Sequence, residues 1–268
     1  MAGTRIGVIG CAGRMGRMLV ADIAATEGCV LAGGVARPGA ACVGQDLGEL
    51  AGVPRLGIAV GDNAERLLRD SDVAVDFTMP TATADHAKLA ASLGKPIVIG
   101  TTGLSGTEEA AVHAAAEKVP VVLAANTSLG INLLLGLVAQ IAQRLGPDWD
   151  IEIFEMHHKG KVDAPSGTAL ALGRAAAAAR GVSLEETAQR GRDGITGPRR
   201  PGAIGFAALR GGDAVGDHHV IFAGAGERLE LVHRTTNRAI YAKGAVRAAL
   251  WLKDQPPGLY GMKEVLGL

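Results

Sequence analysis

The 268-residue sequence predicts an α/β protein, in which a doubly wound parallel sheet is combined with an inserted α+β domain whose sheet is mixed or antiparallel. In the first half, short β-branched runs alternate with alanine-rich stretches of helical spacing, which is typical of buried parallel strands connected by helices. After Gly130 this pattern changes to longer helices and to strands in which polar and apolar residues alternate. The change divides the chain into two kinds of structure.

The elements are predicted in chain order from these patterns. Strands of the first half are expected at 5–9, 30–35, 73–77, 96–99 and 121–124, with helices at 82–93 and 108–118. A helix at 131–145, a strand at 151–156, a helix at 168–180 and a Gly-, Arg- and Pro-rich loop at 190–202 follow. The runs 204–210, 218–222 and 228–235 are expected to form an antiparallel sheet, and a helix at 239–252 precedes a Gly/Pro-rich tail.

Composition limits the classes of partner. Basic and acidic residues are equal in number, 27 each, so the whole chain offers no field that would attract nucleic acid or an anionic membrane. Its three cysteines, Cys11, Cys29 and Cys42, lack the spacing of a zinc site, which favours reduced thiols and a cytoplasmic location. No apolar run reaches membrane-spanning length and no signal peptide is evident, so we expect no membrane partner.

A glycine-rich turn joins the first strand to the first helix. Gly10, Gly13 and Gly16 follow the spacing G-x-x-G-x-x-G, and glycines at this place let a pyrophosphate approach the backbone of a Rossmann-type domain. The second strand ends at Ala36-Arg37, without an acidic residue for ribose hydroxyls and with a guanidinium that suits a 2′-phosphate. The pattern favours NADP over NAD. The alternatives are a structural turn and a solvated surface arginine.

Small and hydroxylated residues follow the later strands of this half. They are Phe77-Thr78, Gly100-Thr101-Thr102-Gly103 and Ala124-Ala125-Asn126-Thr127. Because the carboxyl ends of parallel strands open onto one crevice, these residues are expected to line a nicotinamide site.

Residues 157–168 concentrate groups that exchange protons. Two imidazoles, His157 and His158, and the ammonium group of Lys161 suit acid catalysis on an anionic substrate, whereas a solvated basic loop is the alternative. A helix start at Ser166-Gly167-Thr168 offers N–H groups to a carboxylate. Asp163 either orients Lys161 or His157 or caps the turn before Pro165, and the cap is the preferred interpretation.

Two other classes of protein compete with this hypothesis. A semialdehyde dehydrogenase needs a cysteine nucleophile near its cleft, and all three cysteines lie within the first 42 residues. A non-catalytic dinucleotide sensor would use the basic segment to hold an effector. No metal site is expected, because no second cluster at ligand spacing occurs among the other histidines, which are His86, His113, His218, His219 and His233.

The chain resembles the 4-hydroxy-tetrahydrodipicolinate reductase (dihydrodipicolinate reductase) family from Arg5 nearly to its C-terminus. The glycine turn, Asp76-Phe77-Thr78, residues 98–103, residues 124–126 and above all residues 155–168 occur in the family's order. The resemblance implies NAD(P)H-dependent reduction of 4-hydroxy-tetrahydrodipicolinate to tetrahydrodipicolinate in the diaminopimelate route to lysine. It implies a cyclic dicarboxylate as substrate and a homotetramer; with Arg37 at the end of the second strand, we expect NADPH as the preferred cofactor and NADH as the second.

The resemblance also implies roles for individual residues. His157 is the implied proton donor and acceptor, Lys161 the proton donor, and His158, Gly167 and Thr168 hold the substrate's carboxylates. The implied cofactor contacts are Gly10, Cys11, Ala12, Gly13, Arg14, Met15, Arg37, Gly100, Thr101, Thr102, Ala124, Ala125, Asn126 and Thr127. The dinucleotide-binding domain is expected at 1–127 with 239–268, and the substrate-binding and oligomerisation domain at 128–238.

Overall fold

The computed structural model describes residues 3–268 and contains two compact units, Met1–Leu129 with Ala239–Leu268, and Gly130–Arg238. In chain order its elements are β1 (Thr4–Ile9), α1 (Arg14–Ala25), β2 (Cys29–Val35), α2 (Leu47–Ala51), α3 (Ala64–Arg69), β3 (Val73–Asp76), α4 (Pro80–Leu93), β4 (Ile97–Ile99), α5 (Gly106–Ala116), β5 (Pro120–Leu123), α6 (Leu129–Leu145), β6 (Asp150–His157), α7 (Gly167–Ala179), α8 (Leu184–Thr187), β7 (Ala188–Arg190), β8 (Ile204–Arg210), β9 (Gly216–Gly224), β10 (Glu227–Thr235), α9 (Ala239–Leu252), β11 (Gly258–Tyr260) and α10 (Met262–Leu266). None of the helices within 3–268 combines the length and apolar character needed to span a bilayer.

The first unit is built on a six-stranded parallel sheet with the order β11-β5-β4-β3-β1-β2. Its strands are buried on both faces: Val75 and Val98 pack with α1 and α9, whereas Ala74 and Ile97 pack with α4 and α5. Burial on both faces explains why these strands are continuously apolar. The predicted doubly wound, Rossmann-type sheet is confirmed.

The C-terminal segment differs from the prediction. No element was assigned to the Gly/Pro-rich tail from the sequence, whereas in the structure β11 adds a parallel edge strand to β5 and α10 follows it. Leu259 pairs with Val121, and Met262 and Val265 enter the apolar core of the unit. A three-residue strand shows too few alternating positions to be detected from its own sequence.

The second unit is a five-stranded mixed sheet with the order β10-β9-β6-β8-β7, covered on one face by helices. Ile153, Phe206 and Val220 of the sheet pack with Leu134 of α6 and Leu172 of α7. The predicted α+β domain with a mixed or antiparallel sheet is confirmed in its mixed form. Strands β9 and β10 are antiparallel neighbours, as expected.

The pairing of β8 was predicted wrongly. It pairs parallel with β6, Ile153 opposite Phe206, and not antiparallel with β9. The chain leaves β6, crosses the sheet through α7 and returns in the same direction, which is the connection that a parallel pair requires. The crossover brings the C-terminal ends of β6 and β8 together beside the start of α7.

Candidate functional site

The glycines of the turn between β1 and α1 make it tight. Gly10 has φ +83°, a left-handed conformation that glycine adopts without strain, and a Cβ there would lie 2.8 Å from the Thr78 methyl carbon. A Cβ at Gly16 would collide with the carbonyl oxygen of Gly10, so glycine allows α1 to begin close to β1. The first N–H groups of α1 have no intrahelical partners, and with this turn they form a cradle that suits a pyrophosphate.

A cleft of about 420 Å³ lies in the first unit at the carboxyl ends of its central strands. Nine of the predicted cofactor residues line it: Gly13, Arg14, Met15, Gly100, Thr101, Thr102, Ala125, Asn126 and Thr127. Phe77 and Thr78, noted in the sequence as a strand end, also line the cleft. Tyr241 of α9 completes the lining; the helix was expected in this unit, but Tyr241 itself was not identified from the sequence.

The other five predicted cofactor residues lie outside this lining, and they are Gly10, Cys11, Ala12, Ala124 and Arg37. The N–H groups of Gly10 and Cys11 both donate to Val35 O, at 2.9 and 3.1 Å, and thereby attach the turn to β2. Cys11 is fully buried beneath the turn. Arg37 is exposed just after β2.

The cysteines do not form the nucleophilic site of a semialdehyde dehydrogenase. Burial and the neighbouring Cys42 raise the pKa of the Cys11 thiol to about 12, and burial also raises the pKa of Cys29. A thiol must ionise to attack a carbonyl, so these shifts oppose that chemistry. All three thiols are free.

In the second unit, the carboxylate of Glu155 on β6 is fully buried and accepts four hydrogen bonds. Its Oε2 accepts from His157 Nδ1 at 2.6 Å and Arg210 Nη1 at 2.8 Å. Its Oε1 accepts from Arg210 Nη2 at 2.9 Å and from the N–H of Ser166 at 3.1 Å. One carboxylate thus connects β6, the end of β8 and the start of α7. Burial raises the pKa of Glu155, but the bonds from Arg210 and His157 outweigh burial and hold that pKa below its usual range.

His157 takes its orientation from this carboxylate. Because an ionised carboxylate only accepts hydrogen bonds, the proton shared with Glu155 belongs on Nδ1, and Nε2 is the nitrogen left available to a ligand. A Cβ at Gly216 would stand 3.0 Å from Nε2, so the absence of a side chain there leaves this nitrogen uncovered. His157 thus has the geometry of a general acid or base oriented by a carboxylate.

His218 on β9 lies behind His157 as a neutral imidazole. The two rings meet edge to face with centroids 5.2 Å apart, and His218 Nε2 lies 3.0 Å from the Ser166 hydroxyl. The same hydroxyl accepts the N–H of Ala169 and caps α7. Burial, with the charge of His157 next in importance, lowers the pKa of His218 to about 4. His218 therefore supports the helix start without adding a second positive charge.

Lys161 and Asp163 form an ion pair on the loop between β6 and α7. The ammonium group lies 2.7 and 2.9 Å from the two carboxylate oxygens, and this hydrogen bond is the main cause of the lowered pKa of Asp163. Of the roles considered for Asp163, the structure shows the orientation of Lys161 and not the preferred turn cap. His158 is half-buried, and Gly167 and Thr168 form the first turn of α7.

Three residues of this site were not identified from the sequence: Glu155, Arg210 and His218. Glu155 falls on the inward face of β6 with Ile151 and Ile153, and a carboxylate on a buried face is a signal for a buried partner. No single role was assigned to Arg210 from the sequence. Its partner Glu155 lies 55 residues away, a separation that no local pattern reveals. Within residues 3–268, no three His, Cys, Asp or Glu side chains are arranged to hold a metal ion.

The fold is that of an oxidoreductase that combines a nucleotide-binding Rossmann domain with a domain in which a buried carboxylate holds His157. Comparison with family models identifies the family of oxidoreductases. The model for the N-terminal part of dihydrodipicolinate reductase matches residues 4–127, and that for the C-terminal part matches residues 130–266. The chain belongs to the dihydrodipicolinate reductase family.

Individual relatives agree with this placement. A 4-hydroxy-tetrahydrodipicolinate reductase of Magnetococcus marinus is 52% identical over 98% of both chains. One of Rhizobium rhizogenes is 54% identical over 97% of this chain and 96% of the relative. The solved dihydrodipicolinate reductase of Paenisporosarcina sp. TG-14, with dipicolinate bound, has a TM-score of 0.79 at 25% identity and covers 98% of both chains.

Replacement of Glu155 by Gln is expected to destabilise the second unit by about 3 kcal/mol, because Arg210 and His157 lose a buried negative partner. Urea unfolding at pH 7 measures this loss. The matched control is Glu152→Gln on the same strand, since Glu152 pairs with Arg192 and Arg199 at a half-exposed site and should lose only about 1 kcal/mol. Equal losses in the two variants would contradict the assignment of Glu155 as the central partner.

Because His218 is buried, we expect the free energy of unfolding to fall as the pH is lowered. At pH values between the ordinary pKa of histidine, 6.5, and the pKa of His218 in the folded protein, about 4, His218 binds a proton in the unfolded chain but not in the folded one. The free energy of unfolding should therefore fall by about 3 kcal/mol over this interval on account of His218 alone, at roughly 1.4 kcal/mol per pKa unit. Urea unfolding of wild type and His218→Gln at pH 6.5 and pH 4 isolates the contribution.

The neighbouring His219 provides the control for this measurement. It stacks on Phe154 with ring centroids 4.0 Å apart and is less buried than His218, so His219→Gln should retain most of the wild-type acid response. If His218→Gln lost as much stability between the two pH values as wild type does, the neutral buried imidazole would be refuted.

Proposed function

We propose that the protein is an NAD(P)H-dependent reductase that converts 4-hydroxy-tetrahydrodipicolinate to tetrahydrodipicolinate in the diaminopimelate route to lysine, with a proton supplied from His157 and Lys161. This assignment of the reaction is supported by the match of both halves of the chain to one reductase family. The hydrogen bond between His157 and the buried Glu155 supports the proton step.

The glycine turn and the cleft of the first unit are the proposed cofactor site. The tight backbone at Gly10 and Gly16 fits a pyrophosphate, and the cleft beside Thr101 and Asn126 fits the nicotinamide end. When bound, NAD(P)H supplies the hydride. Arg37, exposed after β2 with no carboxylate beside it at Ala36, is proposed to favour NADPH over NADH by pairing with the 2′-phosphate.

The start of α7 and the preceding loop are the proposed substrate site. The first N–H groups of a helix attract a carboxylate, and Ser166 caps this helix while Gly167 leaves its first turn exposed. His158 is proposed to hold the second carboxylate. Dipicolinate, the molecule bound to the solved relative, carries two such groups.

Proton delivery is assigned to His157 Nε2 and Lys161. The 4-hydroxyl group leaves as water, which gives a conjugated cyclic imine. Hydride addition to this ring leaves negative charge on the ring nitrogen, and a nearby cation both stabilises that charge and donates the proton. Glu155 keeps Nδ1 of His157 occupied, so the proton leaves from Nε2. Asp163 holds the Lys161 ammonium in one position.

The two units are proposed to divide the work as dinucleotide-binding domain (1–127 with 239–268) and substrate-binding and oligomerisation domain (128–238), in a cytoplasmic homotetramer. The sheet face of the second unit opposite its helices supports assembly there. Leu209 and Val232 are 48% and 41% exposed, and Phe154 and Met156 alternate with the buried residues of β6. Such an apolar face favours contact between copies.

A coupled assay tests the reaction and separates the enzyme from a dinucleotide sensor. Substrate is generated from pyruvate and aspartate semialdehyde by the preceding synthase, and oxidation of NADPH is followed by absorbance. Wild type should turn over, and Lys161→Met should lower kcat about 100-fold with NADPH affinity unchanged. Lys159→Met, a matched change at an exposed lysine of the same loop, should retain activity. No turnover by wild type would reject the reductase in favour of the sensor.

The same assay with NADH as second cofactor tests the role of Arg37. Arg37→Ala should raise KM for NADPH about tenfold and leave KM for NADH unchanged, because only NADPH carries the 2′-phosphate. Equal effects on both cofactors would reject Arg37 as the phosphate contact.

A further inference from the structure

The guanidinium of Arg210, at the end of β8, uses all four N–H groups of its two Nη atoms. Two of them donate to the buried carboxylate of Glu155, from Nη1 to Oε2 at 2.8 Å and from Nη2 to Oε1 at 2.9 Å. The other two donate to carbonyl oxygens, from Nη1 to Leu209 O and from Nη2 to Asp163 O, both at 2.6 Å. Because a guanidinium is planar, these four bonds fix the plane of the group and the positions of both Nη atoms.

The bond to Asp163 O attaches the middle of the loop between β6 and α7. The end of this loop is anchored separately, where the N–H of Ser166 donates to the Glu155 carboxylate. In the described part of the chain, the bond from Arg210 is the only hydrogen bond that joins residues 162–165 to a residue outside the loop. The position of the loop backbone at Asp163 therefore depends on Arg210.

Asp163 in turn holds the side chain of Lys161. Its two carboxylate oxygens lie 2.7 and 2.9 Å from the Lys161 ammonium group. The Asp163 side chain is 58% exposed, and two flexible side chains that pair in water do not keep a fixed place by themselves. The bond from Arg210 supplies a fixed backbone for one member of this pair. The same guanidinium is connected to His157 through Glu155.

We propose that Arg210 is a positioning residue that places Lys161 for proton donation by holding the carbonyl oxygen of Asp163. Through its bonds to Glu155 it also supports the orientation of His157, so one residue aligns both proposed proton donors. The roles of the two donors rest on the proposed function. The contacts of Arg210 do not, and they can be tested in the protein without substrate or cofactor.

Lysine at position 210 separates the two tasks of the guanidinium. Its ammonium group keeps a positive charge beside Glu155, so the buried carboxylate retains a partner. An ammonium group is a single donor atom on a flexible stem, and it cannot bond the Glu155 oxygens and Asp163 O from two fixed directions. Arg210→Lys should therefore release the loop at Asp163 while Glu155 stays paired.

Carbon NMR of the Asp163 carboxyl group, assigned with Asp163→Asn, measures this release in the free protein. The hydrogen bond from Lys161 is the main cause of the lowered pKa of Asp163, and the charge of Arg210 contributes less. Because Arg210→Lys keeps the positive charge, a rise of the pKa of Asp163 toward the ordinary value of aspartate reports the loss of its bond from Lys161. We expect this rise in Arg210→Lys.

A double-mutant cycle connects the release to catalysis. In the coupled assay, Arg210→Lys should lower kcat about tenfold, but less than twofold in a Lys161→Met background, because both changes act on one proton donor. A purely structural defect would lower kcat by the same factor in both backgrounds.

The matched control is Arg200→Lys. Arg200 is an exposed arginine of the second unit that also donates to a carbonyl oxygen, Glu186 O, at 2.9 Å, and it lies outside the site. Arg200→Lys should change neither kcat nor the titration of Asp163.

The inference is overturned if Asp163 titrates alike in wild type and Arg210→Lys, or if Arg210→Lys lowers kcat by the same factor in both backgrounds. Nitrogen NMR of the wild-type guanidinium decides the matter if Arg210→Lys fails to fold. Separate signals from the two Nη groups are expected, because four bonds restrict their rotation, and a freely rotating Arg210 would overturn the inference. A wild type without turnover would overturn the proposed function and the step of proton donation, whereas the titration of Asp163 would still decide whether Arg210 holds the loop.

Discussion

The buried carboxylate of Glu155 is the group on which the arrangement of the second unit's site depends. A carboxylate removed from water is stable only when its oxygens are fully hydrogen-bonded and its charge is balanced. Arg210 supplies the opposite charge at the end of β8, and the N–H of Ser166 supplies a donor at the start of α7. Strand β6, the end of β8 and the start of α7 therefore meet at the Glu155 carboxylate. The hydrogen bond from His157 to the same carboxylate orients the imidazole ring.

The two units build their sites from different groups, backbone in the first and titratable side chains in the second. This difference matches the chemistry proposed for each unit. In the first unit the cradle is backbone, shaped by glycines such as Gly10 and Gly16, whose missing side chains admit close approach. Backbone N–H groups hold phosphates at any pH. In the second unit the site consists of titratable side chains: the bonds from Arg210 and His157 lower the pKa of Glu155, and burial lowers the pKa of His218.

Sequence patterns predicted the elements more reliably than the contacts between them. The apolar runs of β1 to β5 indicate strands because both faces of a parallel sheet are buried, and this depends only on local composition. The parallel pairing of β8 depends on where α7 places the chain, and the pairing of Glu155 with Arg210 spans 55 residues. Neither of these two pairings can be recognised from a short stretch of sequence. Resemblance to a family assigned roles to His157, Lys161 and the glycine turn but none to His218, whose support of the start of α7 follows from its burial and its contact with Ser166.

Glu155 fixes the tautomer of His157 with its proton on Nδ1, which leaves Nε2 available for the proposed proton transfer to the substrate. Nuclear magnetic resonance of the ¹⁵N-labelled imidazole, assigned with a His157→Gln variant, measures this tautomer in the neutral ring. The expected spectrum shows a protonated Nδ1 and an unprotonated Nε2 in wild type, and a mixture in Glu155→Gln. A predominant Nε2–H form in wild type would contradict the account, because the nitrogen facing the carboxylate would then lack the proton it is required to donate.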